Sequence, residues 1–168
     1  MLKVGIITVS DKGFRGERED LSVKVIKELI AAIDGQVTAY EIIPDEQPLI
    51  ERKLMEYSDQ LALDLIFTTG GTGFAARDVT PEATLKVAEK LVPGIGEVMR
   101  EVSLKATPHG MLSRAIAVIR GQTLIVNLPG SPKAVRECME AILPALPHGV
   151  QIMKGETGEC GSPVLNGN

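Results

Sequence analysis

The sequence predicts an α/β fold, a mostly parallel sheet covered by helices on both faces. Two observations predict it. Short β-branched runs alternate along the chain with stretches of helical periodicity, a pattern that builds parallel strands linked by crossover helices. Hydrophobic residues make up 44% of the 168, yet aromatic residues only 3%, with two Tyr, three Phe and no Trp. The core must therefore be built from Ile, Val, Leu, Ala and Met, which suits strands buried on both faces. The length is that of one ordinary domain. That domain is expected over residues 1–155, with a loose, non-periodic tail over 156–168.

The elements follow in order. Residues Lys3–Val9 form a short apolar strand running into a polar loop. Leu21, Val25, Ile26, Leu29, Ile30 and Ile33 recur at helical spacing, with Lys24, Lys27 and Glu28 on the opposite face. Gln36–Ile43 is the second strand. Asp45 opens a helix expected to run to about Asp59, with Pro48 in its first turn, where no intrahelical N–H is lost. Leu63–Thr69 is the third strand and ends in Gly70-Gly71-Thr72-Gly73. Thr80-Pro81-Glu82 gives a helix start with a hydroxyl cap, a proline and an acid; this helix is expected to reach about Leu91, and another spans Pro93 to about Lys105. Ala115–Arg120 and Thr123–Leu128 flank Gly121-Gln122 as a hairpin or as a loop leading into a strand over Leu124–Leu128. Ser131-Pro132 starts the last helix, which places Val135, Cys138, Met139, Ile142, Leu143 and Leu146 on one face and is kinked or ended by Pro144.

Several function classes are excluded by composition. A net charge of −4 gives no general field to attract nucleic acid or anionic lipid. Scarce aromatic rings argue against a base-stacking platform. Cys138 and Cys160 lie in no CxxC, so neither a zinc site nor a disulfide framework is expected. No apolar run is long enough to span a membrane, and the N-terminal segment lacks the features of a signal peptide. A cytoplasmic protein is expected. Neither GxxxxGK(S/T) nor a GxGxxG after the first strand occurs, which argues against a P-loop or a standard dinucleotide fold.

In such folds ligands gather at the carboxyl ends of strands, here the loops after Val9, Ile43, Thr69 and Leu128. Glycines at 70, 71 and 73 let backbone amides turn toward phosphate oxygens without a Cβ in the way. Thr72 adds a hydroxyl, Arg77 a charge, and Asp78 a carboxylate for a divalent ion. The bland alternative is a tight turn with Asp78 in an Asx turn ahead of a capped helix. Asp45 is either a helix cap or a second carboxylate over the same cleft; two acids beside a polyphosphate would bring Mg²⁺. Gly130-Ser131 offers a further phosphate loop with Lys133 in the following turn. Ser10-Asp11-Lys12 with Arg15 and Arg18 is either a lid or substrate grip, or a solvated loop. Ser113-Arg114 is either a donor pair, or a cap and a surface arginine. His109 and His148 have no paired ligand spacing, and Cys138 lies on an apolar face.

Together these segments resemble the molybdopterin adenylyltransferase family, which includes bacterial MogA proteins and the G domain of gephyrin. The resemblance is carried by Thr69–Gly73 with Arg77–Ala83, Ile43–Gln47, Leu112–Arg114, Asn127–Lys133 and Ile142–His148, five motifs in order over residues 3–154. The string Arg77–Pro81 favours the adenylyltransferase branch over the related MoaB branch. The resemblance implies a three-layer α/β/α sandwich, a homotrimer, and Mg²⁺-dependent transfer of AMP from ATP to the terminal phosphate of molybdopterin. A molybdate-inserting enzyme would then take the product. It also implies that Asp45 and Asp78 are the essential carboxylates and metal ligands. Gly70, Gly71, Thr72 and Gly73 would line the nucleotide and phosphate cleft. Ser113, Arg114, Gly130 and Ser131 would help hold the nucleotide, and Ser10 and Asp11 would border the pterin. Arg77, Arg114 and Lys133 would supply the positive charge that the chain as a whole lacks. A pterin-binding scaffold without turnover, as in the assembly role of gephyrin, and a nucleotide pyrophosphatase are the alternatives.

Overall fold

The computed structural model describes residues 1–156. Strands β1 (Leu2–Val9), β2 (Gly35–Ile43), β3 (Leu65–Thr69), β4 (Lys90–Leu91), β5 (Ala117–Arg120) and β6 (Thr123–Leu128) form one sheet in the order β2-β1-β3-β6-β5-β4. The first four in that order are mutually parallel, while β5 runs antiparallel to both neighbours. The helices are α1 (Asp11–Phe14), α2 (Leu21–Ile30), α3 (Gln47–Met55), α4 (Thr80–Val87), α5 (Pro93–Ala106), α6 (Pro132–Ile142) and α7 (Leu146–Lys154).

The expected three layers follow from the period-two alternation of the central strands. Val4 and Ile6 of β1, Leu65 and Phe67 of β3, and Leu124 and Val126 of β6 face α2, α5, α6 and α7. Ile7 and Val9, Ile66 and Ile125 face α3 and α4 on the other side. Each core holds one buried aromatic ring, Phe67 on one side and Tyr57 on the other, and is otherwise filled mainly by aliphatic residues.

Several boundaries differ from the sequence reading. The helix after β2 starts at Gln47, not Asp45, because the Asp45 carboxylate is engaged by the Asp11 amide and Glu46 takes the cap position. It ends at Met55 and continues as a π-helical turn over Glu56–Gln60. The helix after the glycine loop has Val79 at its cap position, since the Thr80 hydroxyl instead donates to the Gly70 carbonyl. It ends at Val87 because Lys90–Leu91 leave to pair with Val118–Ile119. The residues around Gly121-Gln122 form a hairpin, with Gly121 at φ +55°. Ser131 caps α6, its hydroxyl accepting from the Ala134 amide. Pro144 sits in a 3-10 turn that re-aims the chain into α7. The expected tail beyond residue 156 lies outside the described residues.

The register sets up the site. Val9 pairs with Ile43, Thr8 with Thr69, and Thr69 with Leu128, so four loops leave one edge of the sheet nearly level.

Candidate active site

The loops after β1, β2, β3 and β6 enclose a cleft of about 290 Å³. Ser10, Asp45, Gly70, Gly71, Asp78 and Gly130 all line it. Local chain geometry explains the close packing of its floor. Gly70 and Gly71 have φ of +96° and +66°, a region that residues with a Cβ seldom adopt. A Cβ on Gly71 would stand 3.3 Å from Asp45 Oδ1, and one on Gly73 would stand 2.8 Å from Asp78 Oδ2. The glycine loop therefore runs directly against both carboxylates.

Its carbonyls are engaged away from any ligand. Gly70 O accepts from the Thr80 hydroxyl at 3.0 Å, Gly71 O from the Thr80 amide at 3.1 Å, and Thr72 O from the Arg114 amide at 3.0 Å. The Gly70 amide is spent on Leu128 O, which removes it from the expected set of phosphate donors. Thr69 donates its hydroxyl to Pro129 O, and Ser22 donates to Gly130 O, tying the β6 loop to β3 and α2.

Each carboxylate is fixed by backbone. Asp45 Oδ2 accepts from the Asp11 amide at 2.8 Å, while the Asp45 amide donates to Asp11 Oδ1 at 3.1 Å. Asp78 Oδ2 accepts from the Ala75 amide at 2.9 Å, and the Asp78 amide returns a bond to Ala75 O. The Asx turn weighed for Asp78 does not form: its carboxylate accepts from the amide three residues before it, and the Thr80 amide donates to Gly71 O instead. Burial pushes the Asp45 carboxyl above the usual range, and the charges of Asp11 and Asp78 add to that push. The carboxylates are therefore close enough to repel.

The expected cations are arranged differently. Arg77 turns its Nε–Nη2 edge to a carboxylate and not to the cleft: Nε and Nη2 grip Asp11 Oδ2 and Oδ1 at 2.6 and 2.9 Å. That bond holds the Asp11 carboxyl below the usual range. Arg114 is neither a bare surface arginine nor an open phosphate ligand. It donates to Gly73 O at 2.8 Å, to Asp78 O at 2.7 Å and to Glu82, stapling the glycine loop to α4. Lys133 is largely exposed and lies 4.0 Å from Glu137. Arg18 does line the cleft, and it makes no ion pair among the described residues. Ser10 caps the short α1, accepting from the Gly13 amide.

The predicted residues do not all share one cavity. Thr72, Gly73 and Ser113 line a second, more apolar cavity of about 510 Å³, with Phe74, Met99, Leu112 and Cys138. Ser131 lines neither. Cys138 is 2% exposed, as its apolar face predicts. Thr8, Asp20 and Ser22 also stand in the cleft wall. The sequence reading left the Asp20–Ser22 substrate contact open, since Val23 and not Gly follows Ser22, and it passed over Thr8. Asp20 caps α2 through the Val23 amide and also accepts from the hydroxyls of Thr8 and Tyr40. That cap is legible as an acid standing immediately before the first residue of an apolar-periodic helix.

Among the described residues no three His, Cys, Asp or Glu side chains gather to hold a metal by themselves. Two carboxylates facing a loop suited to phosphate nevertheless fit Mg²⁺, which takes few protein oxygens and completes its shell with phosphate and water.

A family model described as "Probable molybdopterin binding domain" matches residues 5–148. The chain belongs to this molybdopterin-binding family. It is 47% identical over 156 residues to a molybdopterin adenylyltransferase of Helicobacter pylori J99, covering 92% of this chain and 89% of that protein. To the molybdopterin adenylyltransferase of Escherichia coli K12 it is 38% identical, covering 98% of this chain and 91% of the relative. Among solved structures, the molybdopterin biosynthesis enzyme MoaB of Thermus thermophilus superposes with a TM-score of 0.88 at 54% identity, covering 92% of this chain and 98% of that one. Family members of both branch names are therefore close to it. No described helix is long and apolar enough to cross a membrane.

Proposed function

We propose that this chain transfers AMP from ATP to the terminal phosphate of molybdopterin, with Mg²⁺, and releases pyrophosphate. It is an enzyme of molybdenum cofactor biosynthesis, a molybdopterin adenylyltransferase, as are its relatives of 38–47% identity. The observation that carries the finer reading is the meeting of Asp45, Asp78 and the glycine loop in one cleft.

No covalent nucleophile from the protein is needed. A phosphate oxygen of the pterin substrate attacks the α-phosphorus of ATP, and the bond from that phosphorus to the pyrophosphate oxygen breaks. Catalysis is then positioning and charge neutralisation. Asp45 and Asp78 would hold Mg²⁺, which when bound supplies charge neutralisation to the phosphates. The amides of Gly71, Thr72 and Gly73 meet the charge on the α-phosphoryl oxygens. The apolar cavity beside Thr72, Gly73 and Ser113 takes the adenine side, with Arg114 holding Gly73 in its wall, while Gly130 borders the carboxylate cleft and Ser131 caps the helix behind it. The Ser10 end of the cleft, with Arg18, takes the pterin side. The same reading carries a cytoplasmic homotrimer that passes its product to a molybdate-inserting enzyme.

The test is turnover. The purified chain is incubated with molybdopterin, ATP and Mg²⁺, and adenylylated pterin and pyrophosphate are measured together. Equal release of both supports the reading. Pterin binding without AMP transfer would establish a scaffold instead, and ATP cleavage without pterin a pyrophosphatase.

A further inference from the structure

We propose that Arg77 and Asp11 form a positioning relay for Asp45, and that Arg77 is not a ligand of the substrate phosphates. The inference rests on the role given to Asp45 above.

The relay joins the loops of three neighbouring strands. Arg77 lies in the loop after β3, Asp11 opens α1 after β1, and Asp45 follows β2. These strands are adjacent in the order β2-β1-β3, so the loops leave the sheet side by side. The guanidinium meets both oxygens of Asp11, at 2.6 and 2.9 Å, in the two-point geometry that fixes a carboxylate in orientation as well as position. Asp11 then holds Asp45 twice. Its amide donates to Asp45 Oδ2 at 2.8 Å, and its own Oδ1 accepts the Asp45 amide at 3.1 Å. Those bonds fix both the side chain and the backbone of the residue placed over Gly71.

A phosphate that took the Nε–Nη2 edge of Arg77 would displace both bonds to Asp11. Asp11 would then lose the partner that aligns its Oδ1 with the Asp45 amide. The nearby charges tell the same way. Asp45, Asp78, Glu19 and Asp20 all line the cleft, so an unanchored Asp45 would be pushed away by like charge. Arg77 sits with its side chain 58% exposed, at the rim rather than inside the cleft, and Asp11 is absent from the cleft lining. Both therefore act through Asp45.

Arg77→Met, Asp11→Asn and the double variant test this. AMP transfer is followed while ATP is varied, and thermal unfolding is recorded for each protein. A positioning role predicts that each single change lowers kcat by ~10- to 100-fold, the scale of a small misplacement at a reacting centre. KM for ATP stays within about twofold, because no substrate contact is lost. The double variant falls no further than the worse single one, since the two residues act in series. A merely structural role would lower the unfolding temperature and leave kcat of the folded protein unchanged. A tenfold rise in KM for ATP at normal kcat, or multiplying losses in the double variant, would overturn the relay.

A second readout does not depend on turnover. Amide hydrogen exchange at Asp45 should quicken at least tenfold in Arg77→Met, while amides in β3 and β6 keep their protection. Unchanged exchange at Asp45 rejects the relay. If the unaltered protein transfers no AMP, the functional reading fails, and exchange at Asp45 still decides whether the relay exists.

Discussion

Gly70 lies so close to Val9 that a Cβ built on it would collide with the Val9 carbonyl oxygen. No rotamer change can relieve that contact, since both sides are backbone. The same residue has φ +96°, where a side chain is strained in any surroundings. Close approach and unusual backbone together let the glycine loop cross the end of β1 and reach Asp45.

Gly70→Ala is therefore expected to destabilise the protein by at least ~2 kcal/mol, from backbone strain added to the clash. A urea titration reads this as a lower midpoint at constant slope. A midpoint equal to that of the unaltered protein would mean that the loop can move aside, and the packing argument for the cleft floor would fail.

Asn127 gives a second stability test. It lies wholly buried on β6, and its amide nitrogen donates to the hydroxyls of Thr68 at 3.0 Å and Thr84 at 2.9 Å. Its oxygen accepts from the Ile116 amide. These bonds join β3, β6, α4 and the approach to β5, one residue short of the strand ends from which the cleft loops leave. Asn127→Leu fills similar space but leaves two buried hydroxyls without their donor, so a loss of ~1–3 kcal/mol is expected. Activity at temperatures well below unfolding should fall by less than the change at Asp45 described next. A neutral or stabilising result would show that Thr68 and Thr84 find other partners.

Asp45→Asn separates stability from catalysis. The Asp45 carboxyl has its proton affinity raised by burial, with Asp11 and Asp78 adding to it. Folding therefore favours the protonated form, and the charged form costs stability above the raised folded value. As pH falls through that value toward the unfolded one, ~3.9, the penalty disappears. Asn at this position carries no charge and can still accept from the Asp11 amide. Without divalent metal, Asp45→Asn should unfold at a higher temperature than the unaltered protein at pH 7, and the advantage should shrink as pH drops to 4. AMP transfer should meanwhile fall by at least ~100-fold, the scale of losing one electrostatic stabiliser. Added Mg²⁺ and nucleotide should raise the unfolding temperature of the unaltered protein more than that of the variant. A variant that is less stable at pH 7 and gains equally from Mg²⁺ would remove Asp45 from the metal site.

These cases show what the sequence could carry. Strand and helix periodicity located β1, β2, β3, β6, α2 and α6 because each has one face or both faces in a core. The glycine loop was legible because only glycines tolerate its backbone. Helix starts were less so: at Asp45 and Thr80 a side chain favoured as a cap found a stronger tertiary partner, the Asp11 amide and the Gly70 carbonyl. Cation roles were the least legible. Arg77, Arg114 and Lys133 were equal as charges in a motif, and only geometry shows Arg77 committed to Asp11, Arg114 to the glycine loop and Glu82, and Lys133 standing in solvent. The short β4 pairs with a distant hairpin, and two residues carry no period to read.

With Arg77 and Arg114 committed and Lys133 outside the cleft lining, Arg18 is the cation that an incoming anion meets there. It lines the cleft beside Glu19, Asp20 and Ser22, while its neighbours are already paired: Arg15 with Glu17 and Lys24 with Glu19. A cleft lined by four carboxylates repels a phosphate unless a cation meets it. The loop bearing Arg18 enters from β1, on the pterin side of the proposed reaction, so the pterin phosphate is its expected partner. Removing one charge-assisted hydrogen bond at a partly open site costs ~1.5 kcal/mol, or roughly tenfold in affinity. Arg18→Gln should therefore raise KM for molybdopterin about tenfold, change KM for ATP much less, and leave kcat at saturation near normal. Arg18→Lys keeps the point charge and should recover part of the loss. Because the contact is electrostatic, the gap between Arg18→Gln and the unaltered protein should narrow as salt rises. If KM for ATP rises instead, the two ends of the cleft are assigned the wrong way round, and if neither KM moves, the pterin phosphate is held by backbone amides alone.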